Sequence, residues 1–206
     1  MEHQLPRSSL IPTYSMKKLL TILVLILMNN AVFAENEEQT FQLAYLAGGC
    51  YWGLEELMRN IPGVIATKVG FSGGHIKNAS YKEVGRGDTG HAESIEIQFN
   101  TQVLSYEDLL IHFFKMHNPT TLNQQGNDKG TQYRSAIFFN NEEQKVTALK
   151  TIDLVDQSYA WGDPVKTEVL SFSAFYPAEE SHQKYLQKNP DGYSCHYVRK
   201  FDFTKK

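Results

Sequence analysis

The chain of 206 residues is poor in cysteine: it has two, Cys50 and Cys195. Two cysteines cannot build a zinc cluster, and their separation excludes a C-x-x-C redox motif. Histidine offers no substitute, because His75, His91, His112, His117, His182 and His196 show no metal-ligand spacing. No glycine-rich loop ends in the Lys-Ser/Thr pair that cradles phosphate; "GFSGGH" lacks it. Charge is nearly balanced, at a formal net of −3, so nothing points to nucleic acid. Internal repeats, low-complexity tracts and an interdomain linker are missing too. The longest apolar run, "LLTILVLILM" at residues 19 to 28, is too short to span a bilayer comfortably as a helix.

That run has a different meaning. Lys17 and Lys18 precede it, and "NNAVFA" follows with small residues at Val32 and Ala34. A basic start, a short apolar core and a small-residue cleavage site compose a secretory signal peptide. Residues 1–34 are therefore expected to be an N-terminal extension and signal peptide, with Met16 suiting a tighter start. An uncleaved anchor is the alternative, disfavoured by length. Residues 35–206 are expected to form a single domain, exported to the periplasm or secreted. In an exported protein a cysteine pair is most simply a disulfide. On the chain-entropy model, closing so long a loop stabilises by about 5 kcal/mol.

The remainder reads as alternating strands and helices. "FQLAYLAG" alternates as a strand, and Tyr51, Leu54, Met58 and Ile61 fall at helical spacing until "PG" at 62–63. "VIATKVGFSGG" is a strand running into a turn. In "ESIEIQF", Glu93, Ile95, Ile97 and Phe99 share one face. Ser105 and Asp108 resemble a capping box for a helix beginning "YEDLL". "YRSAIFF" is a strand; residues 141–159 are a helix, with Val146, Leu149, Ile152 and Val155 as its apolar positions; "VKTEVLSF" is a strand. The tail from Pro177 is a short helix and then coil. The order β-α-β-β-α-β, with an added α-β, predicts an α+β fold. It has a ferredoxin-like split βαβ core, a two-layer sandwich with extra strands, helices and long loops. Two long loops, around residues 75–91 and 118–132, are where function is expected.

Cys50 lies where the first strand gives way to a helix. Unpaired backbone N–H groups and the helix dipole there favour a thiolate. Gly48 and Gly49 allow a tight turn and are expected to leave the sulfur uncovered. Nucleophile and structural disulfide both remain open on this ground. Glu93, on the apolar face of its strand, is expected to be pushed toward its neutral form and to donate a proton. The alternative is a solvated carboxylate at the rim, paired with Arg86 or a lysine. Tyr51 and Trp52 can wall a pocket beside the sulfur, or pack as ordinary helix residues. Tyr81 and Tyr133, at the edges of the two loops, can donate phenolic hydrogen bonds.

These residues carry a pattern. "GGCYWGLEE" resembles the Gly-Cys-Phe-Trp-Gly signature of the A-type peptide methionine sulfoxide reductases. "GFSGG", "SYKEVGRGDTGHAE", "QGNDKGTQYRSAI" and "HQKYLQKNPDGYSCH" resemble four further segments of that family, in order. The likeness spans about residues 43 to 200. It implies reduction of methionine-S-sulfoxide, free or in oxidised proteins and peptides, without metal or organic cofactor. In that family's terms Cys50 matches the nucleophile, Glu93 the proton donor, and Tyr81 and Tyr133 the phenols that hold the sulfoxide oxygen. Asp128 matches an acidic residue organising the site, Trp52 the indole against the substrate methyl, and Cys195 the resolving cysteine. A Cys50–Cys195 disulfide, recycled by a thioredoxin-like dithiol, follows from the resemblance, and a monomer is expected. Tyr51 stands where the family usually has phenylalanine, so its extra hydroxyl needs a partner or solvent.

Overall fold

The computed structural model describes residues 40–204. The signal-peptide segment expected at 1–34 lies outside the described residues. Among the described residues no helix is long and apolar enough to cross a membrane.

Among the described residues, eight strands and five short or medium helices follow one another. They are β1 (Phe41–Gly48), α1 (Tyr51–Met58), β2 (Val64–Ser72), α2 (Tyr81–Val84), β3 (Ala92–Asn100), α3 (Tyr106–Met116) and the hairpin β4 (Gln124–Gln125) and β5 (Asp128–Lys129). A 3-10 turn at Thr131–Tyr133 leads to β6 (Ser135–Phe139), α4 (Glu142–Gln157), β7 (Glu168–Ser171), β8 (Phe175–Pro177) and α5 (Tyr185–Lys188). Six strands form one sheet in the order β7-β6-β1-β3-β2-β8. Its centre, β6-β1-β3-β2, is antiparallel at every step. β1 and β2 thus run parallel to each other, joined by α1, and β3 and β6 likewise, joined through α3. This is the split βαβ plan expected from the element order. β7 extends it, parallel to β6, through α4.

Alternation decides the layers. Ala44 and Leu46 of β1, and Ile95, Ile97 and Phe99 of β3, meet Leu54, Met58, Leu109 and Phe113 of α1 and α3 in the main core. The intervening residues Tyr45, Ala47, Ala92, Ala136 and Phe138 form a smaller cluster on the opposite face, where Phe172 and Phe175 cover them. Tyr45 and Phe172 stack with ring centroids 3.9 Å apart.

Four sequence expectations need correction. Val146 and Leu149 are 46% and 47% exposed; α4 buries Gln144, Ala148, Thr151 and Val155 instead. That stripe has the 4-3-4 spacing of a helix face, and its polar members satisfy themselves. Gln144 donates to the Leu43 carbonyl at 2.9 Å, and the Thr151 hydroxyl to that of Thr147 at 2.8 Å. Secondly, the loop around 118–132 contains the β4–β5 hairpin, whose two-residue strands are too short to show a period. Thirdly, β8 was not expected; it adds to the open edge of β2. Fourthly, Tyr133 belongs to the 3-10 turn, so β6 begins at Ser135.

The tail is fastened back onto the sheet. The Gln183 side chain receives the Val69 N–H at 2.9 Å and donates to the Val69 and Ala178 carbonyls. Glu55 of α1 is buried, and accepts from the Thr67 hydroxyl and the Lys184 N–H, each at 2.9 Å. These bonds hold residues 182–185 beside the start of α1.

Candidate active site

β1 delivers the chain to α1 through Gly49, whose φ of +98° suits glycine; a Cβ there would overlap the Gln125 side chain. Cys50 is the N-cap of α1 and its sulfur accepts no capping hydrogen bond. The glycines do not leave it uncovered: Cys50 is 7% exposed. Nor does the helix start produce a resting thiolate. Burial pushes the thiol far above its ordinary range and the Glu93 charge adds to this, while the Trp52 backbone N–H opposes both weakly. Desolvation thus outweighs the helix terminus, and the resting sulfur is a thiol.

Glu93 faces the same helix terminus from β3, where it pairs with Phe71 of β2. It is 3% exposed, and its Oε2 accepts the Tyr51 backbone N–H at 3.1 Å. Burial pushes its carboxyl up to about 8, with the Asp128 charge adding and the Tyr51 N–H opposing. The rim alternative fails, since Arg86 lies 3.6 Å from Asp88 instead. At neutral pH Glu93 is a carboxylic acid.

Two phenols share this environment. Tyr81 opens α2, which Ser80 caps: its hydroxyl accepts the Glu83 N–H at 3.4 Å, and the Glu83 carboxylate accepts the Ser80 N–H at 2.8 Å. The Tyr81 N–H donates to Glu179 at 3.1 Å. Tyr133 stands on the 3-10 turn, its N–H on the Gly130 carbonyl at 3.0 Å. Burial raises both phenols, and Glu93, Asp128 and Cys50 all act on each electrostatically, so both stay protonated donors.

Trp52 stacks on Tyr185 at 3.9 Å, and its indole N–H donates to His182 Nδ1 at 3.1 Å. His182 also lies 4.3 Å from the Tyr81 ring. Tyr51 points into the core among Phe71, Trp52 and His182. Its hydroxyl is buried and finds no partner. The departure from phenylalanine therefore keeps an apolar wall and adds an unpaired polar atom.

Cys195 comes from the far end of the chain. Its thiol donates to Asp128 Oδ2 at 3.1 Å, the oxygen that also accepts the Tyr193 hydroxyl at 3.0 Å. The thiol is pushed up to about 12, first by burial and then by Asp128, while the Cys50 backbone N–H lowers it. Gln125 holds the strap by donating to the Cys195 carbonyl at 3.2 Å. Both cysteines are free thiols. A Cβ on Gly53 would fall 2.5 Å from Ser194 Oγ and 2.8 Å from His196 Nδ1, so the strap lies directly on α1.

The structure thus gathers Cys50, Glu93, Tyr81, Tyr133, Asp128 and Cys195 into one electrostatically coupled group, with Tyr51 and Trp52 beside it. A buried acid, two phenols and a thiol around one helix start are equipped to protonate and hold an oxygen atom while sulfur attacks.

The family model described as peptide methionine sulfoxide reductase matches residues 42–206. The chain belongs to the peptide methionine sulfoxide reductase family. It is 53% identical over 156 residues to peptide methionine sulfoxide reductase MsrA 1 of Mesorhizobium japonicum, covering 76% of this chain and 88% of that protein. The crystal structure of Mxr1 from Saccharomyces cerevisiae in reduced form superposes with a TM-score of 0.74 at 37% identity, covering 81% of this chain and 96% of that one. Mxr1 in complex with Trx2 matches at 22% identity and a TM-score of 0.54, covering 81% and 95%, a likeness of fold.

Sequence reasoning missed several members of this reductase's site. His182, Tyr185 and Glu179 build the wall behind Trp52 and Tyr81, and Gln125 and Tyr193 position Cys195. His182, Tyr185 and Tyr193 lay within "HQKYLQKNPDGYSCH", and Gln125 opened "QGNDKGTQYRSAI"; spacing alone assigned them no role. The orphaned Tyr51 hydroxyl makes a direct prediction. Tyr51→Phe removes a buried unpaired group that costs about 1–3 kcal/mol, so the urea midpoint rises with an unchanged slope. A lowered midpoint shows that the hydroxyl has a partner.

Proposed function

We propose that this MsrA-type oxidoreductase reduces methionine-S-sulfoxide, free or in oxidised proteins, with Cys50 as nucleophile and Glu93 as proton donor. The observation that carries this reading is the Glu93 carboxyl, buried and accepting the Tyr51 N–H next to Cys50; burial raises it toward its protonated form.

The proton inventory suits the reaction. At rest both Cys50 and Glu93 hold protons, chiefly because burial disfavours their charged forms. The Cys50 sulfur attacks the sulfoxide sulfur. Glu93 gives its proton to the sulfoxide oxygen, which Tyr81 and Tyr133 hold by hydrogen bonds, and the thiol proton replaces the one that Glu93 loses. Oxygen passes to Cys50: methionine leaves reduced and Cys50 becomes a sulfenic acid. Trp52 and Tyr51 supply the apolar wall for the methyl group, and Asp128 the polar side. Cys195 condenses with the sulfenic acid, releasing water and forming a disulfide. An external thioredoxin-like dithiol reduces that disulfide by thiol exchange. The solved complex of Mxr1 with Trx2 is one such pairing in a protein of this fold.

Two further proposals concern the setting. The chain acts as a monomer. It is exported through residues 1–34, a reading supported by Lys17, Lys18, the apolar run at 19–28 and Ala34. Amino-terminal sequencing of the mature protein is expected to begin at Glu35; a start at Met1 or Met16 refutes cleavage.

Glu93 gives a signed pH dependence. Because its carboxyl is raised to about 8, it is protonated below that pH and ionised above it. The rate of methionine release in a single turnover therefore falls as pH rises through about 8. In Glu93→Gln this limb disappears and the step slows about 10²–10⁴-fold. A wild-type rate in that variant removes Glu93 as the donor. Cys195→Ser is expected to release one methionine per enzyme and then stall with thioredoxin. Unimpaired recycling removes the resolving role.

A further inference from the structure

His196 follows Cys195 and has so far had no task. It is buried, and its Nε2 lies 2.7 Å from the Gly48 carbonyl oxygen. A carbonyl can only accept, so Nε2 must carry the proton. Burial lowers the imidazolium to about 4, so the ring is neutral and Nδ1 is left with a bare lone pair. Nδ1 stands 3.4 Å from the Cys195 sulfur. The fold thus selects the tautomer: β1, through the carbonyl two residues before Cys50, aims an unprotonated nitrogen at the second cysteine. Gly53 keeps that nitrogen clear, since a Cβ there would fall 2.8 Å from it.

We infer that His196 is the proton acceptor for Cys195 in disulfide formation, a catalytic role that rests on the reading of Cys195 as the resolving cysteine. In this step the Cys195 sulfur attacks the sulfur of the Cys50 sulfenic acid. The S–S bond forms, and the S–O bond breaks with its electron pair leaving on oxygen. The Cys195 proton passes to His196 Nδ1 and from there to the departing oxygen, which leaves as water. Cys195 is oxidised, Cys50 goes from sulfenic acid to disulfide, and His196 ends as it began.

The resting geometry explains why such an acceptor is needed. The thiol proton of Cys195 points at Asp128, and burial first, then that carboxylate, holds the thiol in its protonated form, raised to about 12. Asp128 Oδ2 also receives the Tyr193 hydroxyl. Among the described residues, Cys195 is the one hydrogen-bond partner within reach of Nδ1. The charged and titratable groups acting on the ring are Asp128, which favours the imidazolium, and Arg199, which opposes it; His117 is coupled to it as well.

The test separates the two chemical steps in the full-length reduced enzyme. His196→Gln keeps an amide N–H that can reach the Gly48 carbonyl but has no lone pair at the Nδ1 position. A single turnover with methionine sulfoxide is quenched at intervals. Methionine is counted, sulfenic acid is trapped with dimedone, and the Cys50–Cys195 disulfide is measured by alkylation and mass spectrometry. The expected result is a methionine burst within about twofold of wild type, disulfide formation slowed at least about tenfold, and accumulated sulfenic acid, as for loss of a general base. In His196→Gly, added imidazole is expected to restore disulfide formation, which it cannot do for a purely structural residue. Disulfide formation at the wild-type rate in His196→Gln overturns the inference. So does loss of the methionine burst in both variants, or absence of rescue by imidazole. Cys195→Ser distinguishes the underlying reading. If that variant recycles normally, the resolving role itself is wrong. If it stalls while His196→Gln does not, only the role of His196 is wrong.

Discussion

The hydrogen bond from the Tyr51 backbone N–H to the Glu93 carboxyl is the contact on which the site turns. It joins the first turn of α1 to the start of β3 at 3.1 Å, between two buried residues. A free helix terminus would favour an anion. Here the nearest acid takes one orphan N–H of the terminus and is itself so desolvated that it retains its proton. The same desolvation keeps Cys50 a thiol. The site therefore rests uncharged at its centre, with its protons stored where the proposed reaction protonates an oxygen atom. Charge separation is deferred until substrate arrives, which suits chemistry in which a neutral sulfoxide becomes a neutral sulfide.

The second requirement is that the far end of the chain lie over the first helix. Glu55 and Gln183 fasten residues 183 and 184, Gly53 admits Ser194 and His196, and Gln125 and Asp128 hold Cys195. These contacts come from α1, β2 and the β4–β5 hairpin, so the strap is placed by the whole split βαβ core. A strap held by side-chain bonds and a half-buried thiol, outside any strand or long helix, is mechanically suited to two tasks. In the proposed cycle these are delivery of Cys195 to Cys50 and, afterwards, presentation of the disulfide to an external reductant.

Much of this was legible along the chain, and the reasons differ by element. The period of β3 placed Glu93 on the apolar face, because side chains alternate strictly in a strand and three large apolar neighbours marked which face was buried. The order of elements predicted the split βαβ core because each crossover has few topological solutions. The α4 stripe was misread because four apolar residues three apart drift around a helix of 3.6 residues per turn, whereas the true face contains Gln144 and Thr151. The hairpin β4–β5 and the edge strand β8 are too short to carry a period at all. Tyr81, Tyr133, Asp128 and Cys195 were assignable through resemblance, since no local spacing links residues from three separate segments.

By itself the sequence determined the family to which the motifs belong and the groups that are candidates to react: two cysteines, an acid on an apolar face, and aromatic rings around one of the sulfurs. Only the tertiary structure decided their protonation and their pairing. A helix start and a burial site pull a thiol in opposite directions, and the winner depends on how many atoms of distant segments exclude water from it. Likewise, a histidine beside a cysteine says nothing of which ring nitrogen is bare. That is settled by the carbonyl of Gly48, which three-dimensional packing alone brings within reach of His196.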